Sequence, residues 1–289
     1  AGKHVWTEKP IGIDRDESQR LLDKAAAAGL RVGVAPDTVL GPGVQTAKRA
    51  VESGDIGRPL FAQTNFQWQG PEIFHPNPAF LYAKGAGPLL DMGPYYVSTL
   101  VHLFGPVAFV GALGLRGQET RTVKEGPLAG TEFPVEIPST VSVLMQFENG
   151  GQAISLFSTD SPLIRQGVVE VSGTEGTITV PDPNTFGGAV TITRPITERT
   201  VPPAPTLQDV DDIALEGVLV GRGLGLLEMG RAIRAGRPHI ATGELGFHVL
   251  DTLLAIEEAV ESGQFVTVTS TVDEVGSIPV EFDPLASTL

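Results

Sequence analysis

The chain opens on a short apolar run, Lys3 to Pro10, followed by an alanine-rich amphipathic stretch and a second apolar run, Leu30 to Ala35. Asp14, with Glu17 three residues later, forms a capping-box signal, and Gly29 stands where a left-handed C-terminal residue is expected. The pattern therefore predicts a helix over Arg15 to Ala28. Connections this short between strand, helix and strand predict two neighbouring parallel strands joined by a right-handed crossover. A second helix is predicted from Gly43 to Ser53, where Val44, Ala47 and Val51 share one face.

From Pro59 the period changes from helical to alternating. Leu60, Ala62, Phe66 and Trp68 alternate with Phe61, Gln63, Asn65 and Gln67, the signature of a strand with one polar face. Further strands are predicted at Ala108 to Leu115, Thr140 to Phe147 and Gln152 to Ser158, the last two joined by a tight turn at Asn149-Gly150. Val168 to Ser172 and Gly176 to Val180 form another hairpin, and Ala189 to Thr193 a further strand; helices return at Gly223 to Ala235 and Glu244 to Ser262. Lys124 to Pro138 and Pro195 to Pro205 read as surface loops. Strands in succession without helices between them imply antiparallel pairing. The fold class is thus α/β plus α+β. Residues 1–40 look like the C-terminal remnant of a Rossmann domain, and residues 41–289 read as an α+β domain with a large, mostly antiparallel sheet.

Composition narrows the function. A formal charge of -14 argues against binding nucleic acid, whose phosphates such a surface repels. The absence of cysteine excludes disulfides and thiolate chemistry. The five histidines show no metal-ligand spacing, so no metal site is expected. His4, His102, His239 and His248 read as strand, packing or helix-end residues. No apolar run approaches the ~20 residues that cross a bilayer, and AGKHVWTEKP lacks the features of a secretory signal. A cytoplasmic protein with no membrane partner is the expectation.

The candidate chemistry sits in Gly85 to Ser98. Asp91, Tyr95, Ser98 and His102 recur at helical spacing, so a carboxylate and a phenol at i and i+4 can point into one cleft. Each has a plainer reading. Asp91 can equally serve as an N-cap, Tyr95 as a core aromatic with Tyr96 as the competing phenol, and Lys9 as an exposed lysine at a strand end. His75, in Phe74-His75-Pro76-Asn77-Pro78, either lines a hydroxyl-binding pocket or stays in solvent. Gly221-Arg222-Gly223-Leu224-Gly225 departs from GxGxxG spacing and has no βαβ unit leading into it, so it reads as the entry to a packing helix.

AGKHVxxEKP at the front, DxGxY at Asp91 to Tyr95, VSGTEGTI at Val171 to Ile178 and AIRAGRPH at Ala232 to His239 together resemble the glucose-fructose oxidoreductase, inositol dehydrogenase and rhizopine catabolism (Gfo/Idh/MocA) family, in the family's order and over nearly the whole chain. The resemblance implies NAD or NADP as cofactor, with Glu8, Lys9 and Pro10 on the cofactor side. It implies Lys9 and Tyr95 around the substrate carbon and Asp91 orienting the substrate; His75, from its loop, and Tyr96, as the neighbouring phenol, are the further candidate substrate contacts that the residues themselves offer. Tyrosine at position 95, where inositol dehydrogenases have histidine, resembles the glucose-fructose oxidoreductase, xylose dehydrogenase and dihydrodiol dehydrogenase branches. A free tyrosine, with a pKa of about 10, is a poor base at neutral pH, and a neighbouring ammonium favours its phenolate.

The implied function is an NAD(P)-dependent oxidoreductase moving hydride between the nicotinamide and a secondary alcohol of a sugar, cyclitol or related polyol. The alternatives are a non-catalytic carbohydrate-binding or assembly subunit and an NAD-dependent glycosidase of the same fold. The resemblance also implies a homo-oligomer, dimer or tetramer, formed through the sheet face that carries Gln63, Asn65 and Gln67. The glycine-rich phosphate turn of a Rossmann domain lies outside these residues. The expectation is a truncated enzyme, favoured over a chain completed by a partner or a remnant that keeps only substrate binding.

Overall fold

A computed structural model describes residues 2–196 and 209–287. In chain order the elements are β1 (Val5–Thr7), α1 (Arg15–Ala27), β2 (Val32–Val34), α2 (Pro42–Glu52), β3 (Pro59–Gln67), α3 (Gly87–Phe104), β4 (Val107–Leu115), β5 (Thr120–Thr122) and β6 (Glu132–Pro134). They continue with β7 (Thr140–Phe147), β8 (Gln152–Ser158), β9 (Arg165–Gly173), β10 (Thr177–Val180), β11 (Val190–Thr193), β12 (Val210–Ile213), α4 (Leu224–Arg234), α5 (Gly243–Ser262) and β13 (Val266–Thr267). No helix among the described residues is long and apolar enough to cross a membrane.

The first unit forms as its sequence pattern predicts. Glu17 N–H donates to Asp14 Oδ1 at 2.8 Å, capping α1, and Gly29 takes the left-handed conformation after it (φ 64°). β1 and β2 then pair in parallel, Val5 with Val32 and Thr7 with Val34. This unit is seated on α5. Leu22, Val32 and Val34 form a small core with Ile11 and Phe247, and glycines let the backbones approach: a Cβ at Gly246 would lie 2.7 Å from Val34. Arg15 adds ion pairs to Asp251 and Glu258 of α5.

The second unit is a nine-stranded sheet in the order β12-β11-β10-β9-β3-β8-β7-β4-β13. Its neighbours are antiparallel except β3 and β8, which run parallel from Phe61 opposite Gln152 to Gln67 opposite Ser158. The cause is non-local: α3, β4 and β7 intervene before β8 returns beside β3. Gly150 (φ 86°) makes the tight β7–β8 turn, with Gly151 N–H donating to Asn149 Oδ1 at 2.8 Å.

Helices α2, α3 and α5 cover one face of the sheet. Ala62, Phe66, Val143, Met145, Ala153 and Phe157 point into that core, while Phe61, Leu144 and Ile154 point out and are exposed. The outer face was expected to be polar. Gln63 does lie on it, but its centre is a shallow apolar depression of about 320 Å³ walled by Phe61, Phe109, Leu144, Ile154 and Phe265. Alternation within β3 alone did not register the apolar residues that neighbouring strands contribute.

A second correction concerns Lys124 to Pro138. It is not only a surface loop: β6 pairs with β5, and Val123, Phe133, Val135 and Ile137 form a satellite core with Tyr82. The proline-rich expectation at Pro195 to Pro205 falls outside the described residues from position 197 onward.

Candidate active site

The site lies where the chain leaves the C-terminal end of β1 and meets α3. Lys9, two residues beyond β1, extends over the first turns of α3. Its Nζ donates to Asp91 Oδ1 at 2.8 Å and to the Asp91 carbonyl oxygen. Asp91 is not the N-cap, because α3 begins at Gly87 with Ala86 as its cap residue. It stands in the second turn, just before Pro94, which carries no N–H and weakens the helical ladder there. The Asp91 side chain is 46% exposed and that of Lys9 13%. An ion pair this open is worth about 1 kcal/mol or less. Its consequence is orientation of the lysine rather than fold stability.

Tyr95, one turn further along α3, lies under two cations. Lys9 Nζ is 5.1 Å from its ring centroid and Arg222 Cζ 5.7 Å. Arg222 Nη2 donates to Tyr95 Oη over a long 3.3 Å and to Asn184 Oδ1 at 2.9 Å. The loop that carries Arg222 is fixed from below by the buried carboxylate of Asp37, whose Oδ2 accepts from Gly223 N–H at 2.8 Å and Gly225 N–H at 3.1 Å. Any side chain at Gly225 would run into the Trp6 indole and Asp37.

Beside this cluster opens a cavity of about 340 Å³. Phe66, Trp68, Phe74, Met92 and Tyr96 give it an apolar, largely aromatic wall, while Asp91, Asp182 and Asn184 lie at its polar edge. Tyr96 is fully buried and its Oη accepts from Gly167 N–H at 2.8 Å. Burial, opposed by that N–H, pushes its hydroxyl well above the ordinary tyrosine range, so it stays protonated and acts as wall. Pro71, Phe74, Leu81 and Tyr82, from the segment between β3 and α3, close another side.

That segment is anchored by a buried arginine. Arg121 donates to Glu72, to Asp160 Oδ1 at 2.5 Å, to Thr159 O at 2.8 Å and to Gln69 O at 3.1 Å. Tyr82 Oη donates to Glu72 Oε2 at 2.6 Å beneath it. Burial first, then the bond to Glu72, raises Tyr82 far above its usual range, so this phenol is a fixed donor.

The remaining sequence candidates separate from the cluster. His75 lies in the loop outside the cavity wall; its Nδ1 accepts from Asn77 N–H at 3.1 Å and its ring meets Phe80 edge-on. Glu8 stays exposed, and Pro10 helps line a small void with Pro36 and Pro94. His102 is buried, with Nδ1 against Ser98 O at 2.8 Å, and burial lowers its pKa to about 4, so it is neutral packing. Arg222, Asn184 and Asp37 were missed by sequence reasoning. The one available signal was an arginine set between two glycines at Gly221-Arg222-Gly223.

Fold and site together define a class: a parallel β–α–β unit seated against a helix-backed mixed sheet, with a lysine from the strand end facing an aspartate and a tyrosine on the bridging helix. Residues 44–179 match the family model described as the GFO/IDH/MocA C-terminal domain. The trans-1,2-dihydrobenzene-1,2-diol dehydrogenase of Sus scrofa is 28% identical over 183 residues, covering 63% of this chain and 49% of that protein. A levoglucosan dehydrogenase from Pseudarthrobacter phenanthrenivorans is 28% identical over 196 residues, covering 62% of this chain and 49% of its own length. The crystal structure of an NAD binding oxidoreductase from Klebsiella pneumoniae superposes with a TM-score of 0.75 at 25% identity, covering 93% of this chain and 74% of that one. The chain spans about half the length of the curated relatives it matches.

Proposed function

We propose that this chain forms the substrate side of an NAD(P)-dependent oxidoreductase acting on a secondary alcohol of a sugar, cyclitol or related diol. The observation that carries the reading is Tyr95, held between Lys9 and Arg222 beside an aromatic-walled cavity, at the C-terminal end of a parallel strand where open α/β sheets bind ligands. Lys9 and the open carboxylate of Asp91 fit the nicotinamide end of NAD or NADP; no pyrophosphate cradle accompanies them among the described residues. When bound, the nicotinamide supplies a hydride acceptor or donor.

The chain's own residues manage the proton and the charge. Tyr95 Oη takes the hydroxyl proton as the carbinol is oxidised and returns it in reduction. The Lys9 and Arg222 cations stabilise negative charge on the alcohol oxygen in the transition state, where a water-poor cleft makes fixed charges most effective. Asp91 accepts a second substrate hydroxyl and holds Lys9. The aromatic wall takes the apolar face of the ring.

The test is nicotinamide absorbance with a panel of sugars, cyclitols and cyclic diols, with NAD and with NADP. Turnover by the full-length protein that Tyr95→Phe abolishes is the expected result, and a full-length protein that binds no dinucleotide would refute the reading. The proposal includes a cytoplasmic location and a homo-oligomer in which a second copy covers the Phe61, Leu144 and Ile154 face. A contiguous exposed apolar patch is what a subunit contact covers.

A further inference from the structure

The cavity beside Tyr95 has two unlike sides. Its polar side is formed by Asp91, which holds Lys9, by Asp182 and Asn184, and by Gln166, next to the Gly167 whose N–H binds Tyr96. Asn184 ties this side to the reacting cluster, because its Oδ1 accepts from Arg222 at 2.9 Å. The other side comes from the segment between β3 and α3 and presents Pro71, Phe74 and Leu81. The hydroxyls that border it are already engaged: Tyr82 Oη donates to Glu72 at 2.6 Å, and Thr159 Oγ1 donates to Ser139 O at 3.3 Å.

A file of rings joins the interior to this apolar side. Tyr96 meets Phe66 at 6.3 Å between centroids, Phe66 meets Trp68 at 6.4 Å and Trp68 meets Phe74 at 5.6 Å. Tyr96 is fully buried and Phe74 is 59% exposed, so the file ends at solvent. A hydroxyl turned toward Pro71, Phe74 and Leu81 would exchange water for carbon, and an unmade hydrogen bond there is costly. An apolar group in the same place gains by leaving water. A free hexose carries hydroxyls around its whole ring and cannot satisfy both sides. The cavity, at about 340 Å³, is large enough for a ring with a substituent, since drug-sized ligands occupy ~300 to 1,000 Å³.

We propose that the Pro71, Phe74 and Leu81 side is an aglycone subsite, and that the substrate is a glycoside: a hydroxylated ring joined to an aryl or alkyl group. The sugar carbinol meets Tyr95, its other hydroxyls meet Asp91 and Asn184, and the aglycone lies against Phe74 and leaves by the open mouth. This rests on the oxidoreductase reading, whose alcohol it specifies.

The experiment is calorimetric titration of the full-length protein with phenyl and methyl β-glucosides and β-galactosides. Transfer of a phenyl ring from water onto Phe74 and Leu81 should make the better phenyl glycoside bind about tenfold tighter than its methyl counterpart, or more, with a more negative heat-capacity change. Phe74→Ala should remove most of that preference while changing methyl glycoside binding far less, and Phe80→Ala, whose ring lies beyond His75 and outside the cavity wall, should keep it. Equal affinity for phenyl and methyl glycosides, a preference that survives Phe74→Ala, or an equal loss for both ligands in that variant overturns the subsite. A change of mass in light scattering on Phe74→Ala overturns it too, by making this end a subunit contact. If no glycoside binds but nicotinamide-coupled turnover of other alcohols persists, the glycoside assignment falls and the oxidoreductase reading stands; with no turnover of any alcohol, both fall.

Discussion

Replacing Arg121 with methionine should be among the most costly single changes in the molecule. The guanidinium is 3% exposed, pairs with Glu72 (8%) and Asp160 (19%), and also bonds the carbonyls of Gln69 and Thr159. Burial alone would lower its pKa, but the negative partners outweigh it and raise the value, so the group is charged throughout the working range. Methionine fills much of the stem volume yet leaves two carboxylates without a cation in a dry region. Breaking one side of a buried pair costs roughly 3 to 5 kcal/mol. Urea unfolding of the two proteins would measure it as a drop in midpoint with little change in slope. The triple change Arg121→Met, Glu72→Gln and Asp160→Asn removes the orphaned charges and should recover a large part of the loss. The single variant should also loosen the Pro71 to Tyr82 side of the cavity, raising KM more than it lowers kcat. The contrast is Lys9→Met, whose open ion pair should cost about 1 kcal/mol or less. An Arg121→Met protein within about 1 kcal/mol of the parent, or a triple variant no better than the single, would refute the argument that unpaired buried charge governs this wall.

Further outcomes follow from the same geometry. Tyr95→Phe should lower turnover about 10² to 10⁴-fold with folding intact, whereas Tyr96→Phe, which strands the Gly167 N–H, should cost about 1 to 3 kcal/mol in stability; equal turnover in the two variants would reject the assignment of Tyr95. His102 has a folded pKa of about 4, lowered chiefly by burial, against about 6.5 unfolded. Its stabilising effect is therefore complete above about pH 6.5 and is lost as pH falls towards 4, by up to about 3 kcal/mol. His102→Gln should flatten the pH dependence of denaturant unfolding in that window, and an unchanged slope would contradict it. Ile154→Glu combined with Leu144→Lys should shift the protein to a smaller species in light scattering without lowering its thermal midpoint as a monomer; an unaltered mass would move the subunit contact elsewhere.

Much of the scaffold was legible because it is encoded locally. The Asp14 cap, Gly29, the Asn149-Gly150 turn and the alternation in β7 and β8 each depend on neighbours within a few positions, and each element formed within a residue or two of its expected limits. Asp91 and Tyr95 were found by i,i+4 spacing, and that spacing does place them on one side of α3. The alternative reading of Asp91 as an N-cap fails for a local reason: Gly87-Pro88 starts the helix before it, with Ala86 as the cap residue. The buried strand within Lys124 to Pro138 escaped notice because its apolar positions pack on Tyr82, more than forty residues away, and produce no periodic run of their own.

The sequence by itself determined the α/β and α+β character, the order of the longer helices and strands, the acidic surface and the pairing of a lysine with a DxGxY helix as the candidate chemistry. Tertiary structure alone decided that β3 and β8 run parallel, that the outer sheet face is apolar at its centre, and that Arg222 stands over Tyr95 across a separation of 127 residues. The physical reason is range. Caps, turns and amphipathic faces are set by interactions along a few residues of chain, whereas the charge environment of a phenol and the occupant of a cavity wall depend on which distant segments the packing of the whole sheet brings to the same place.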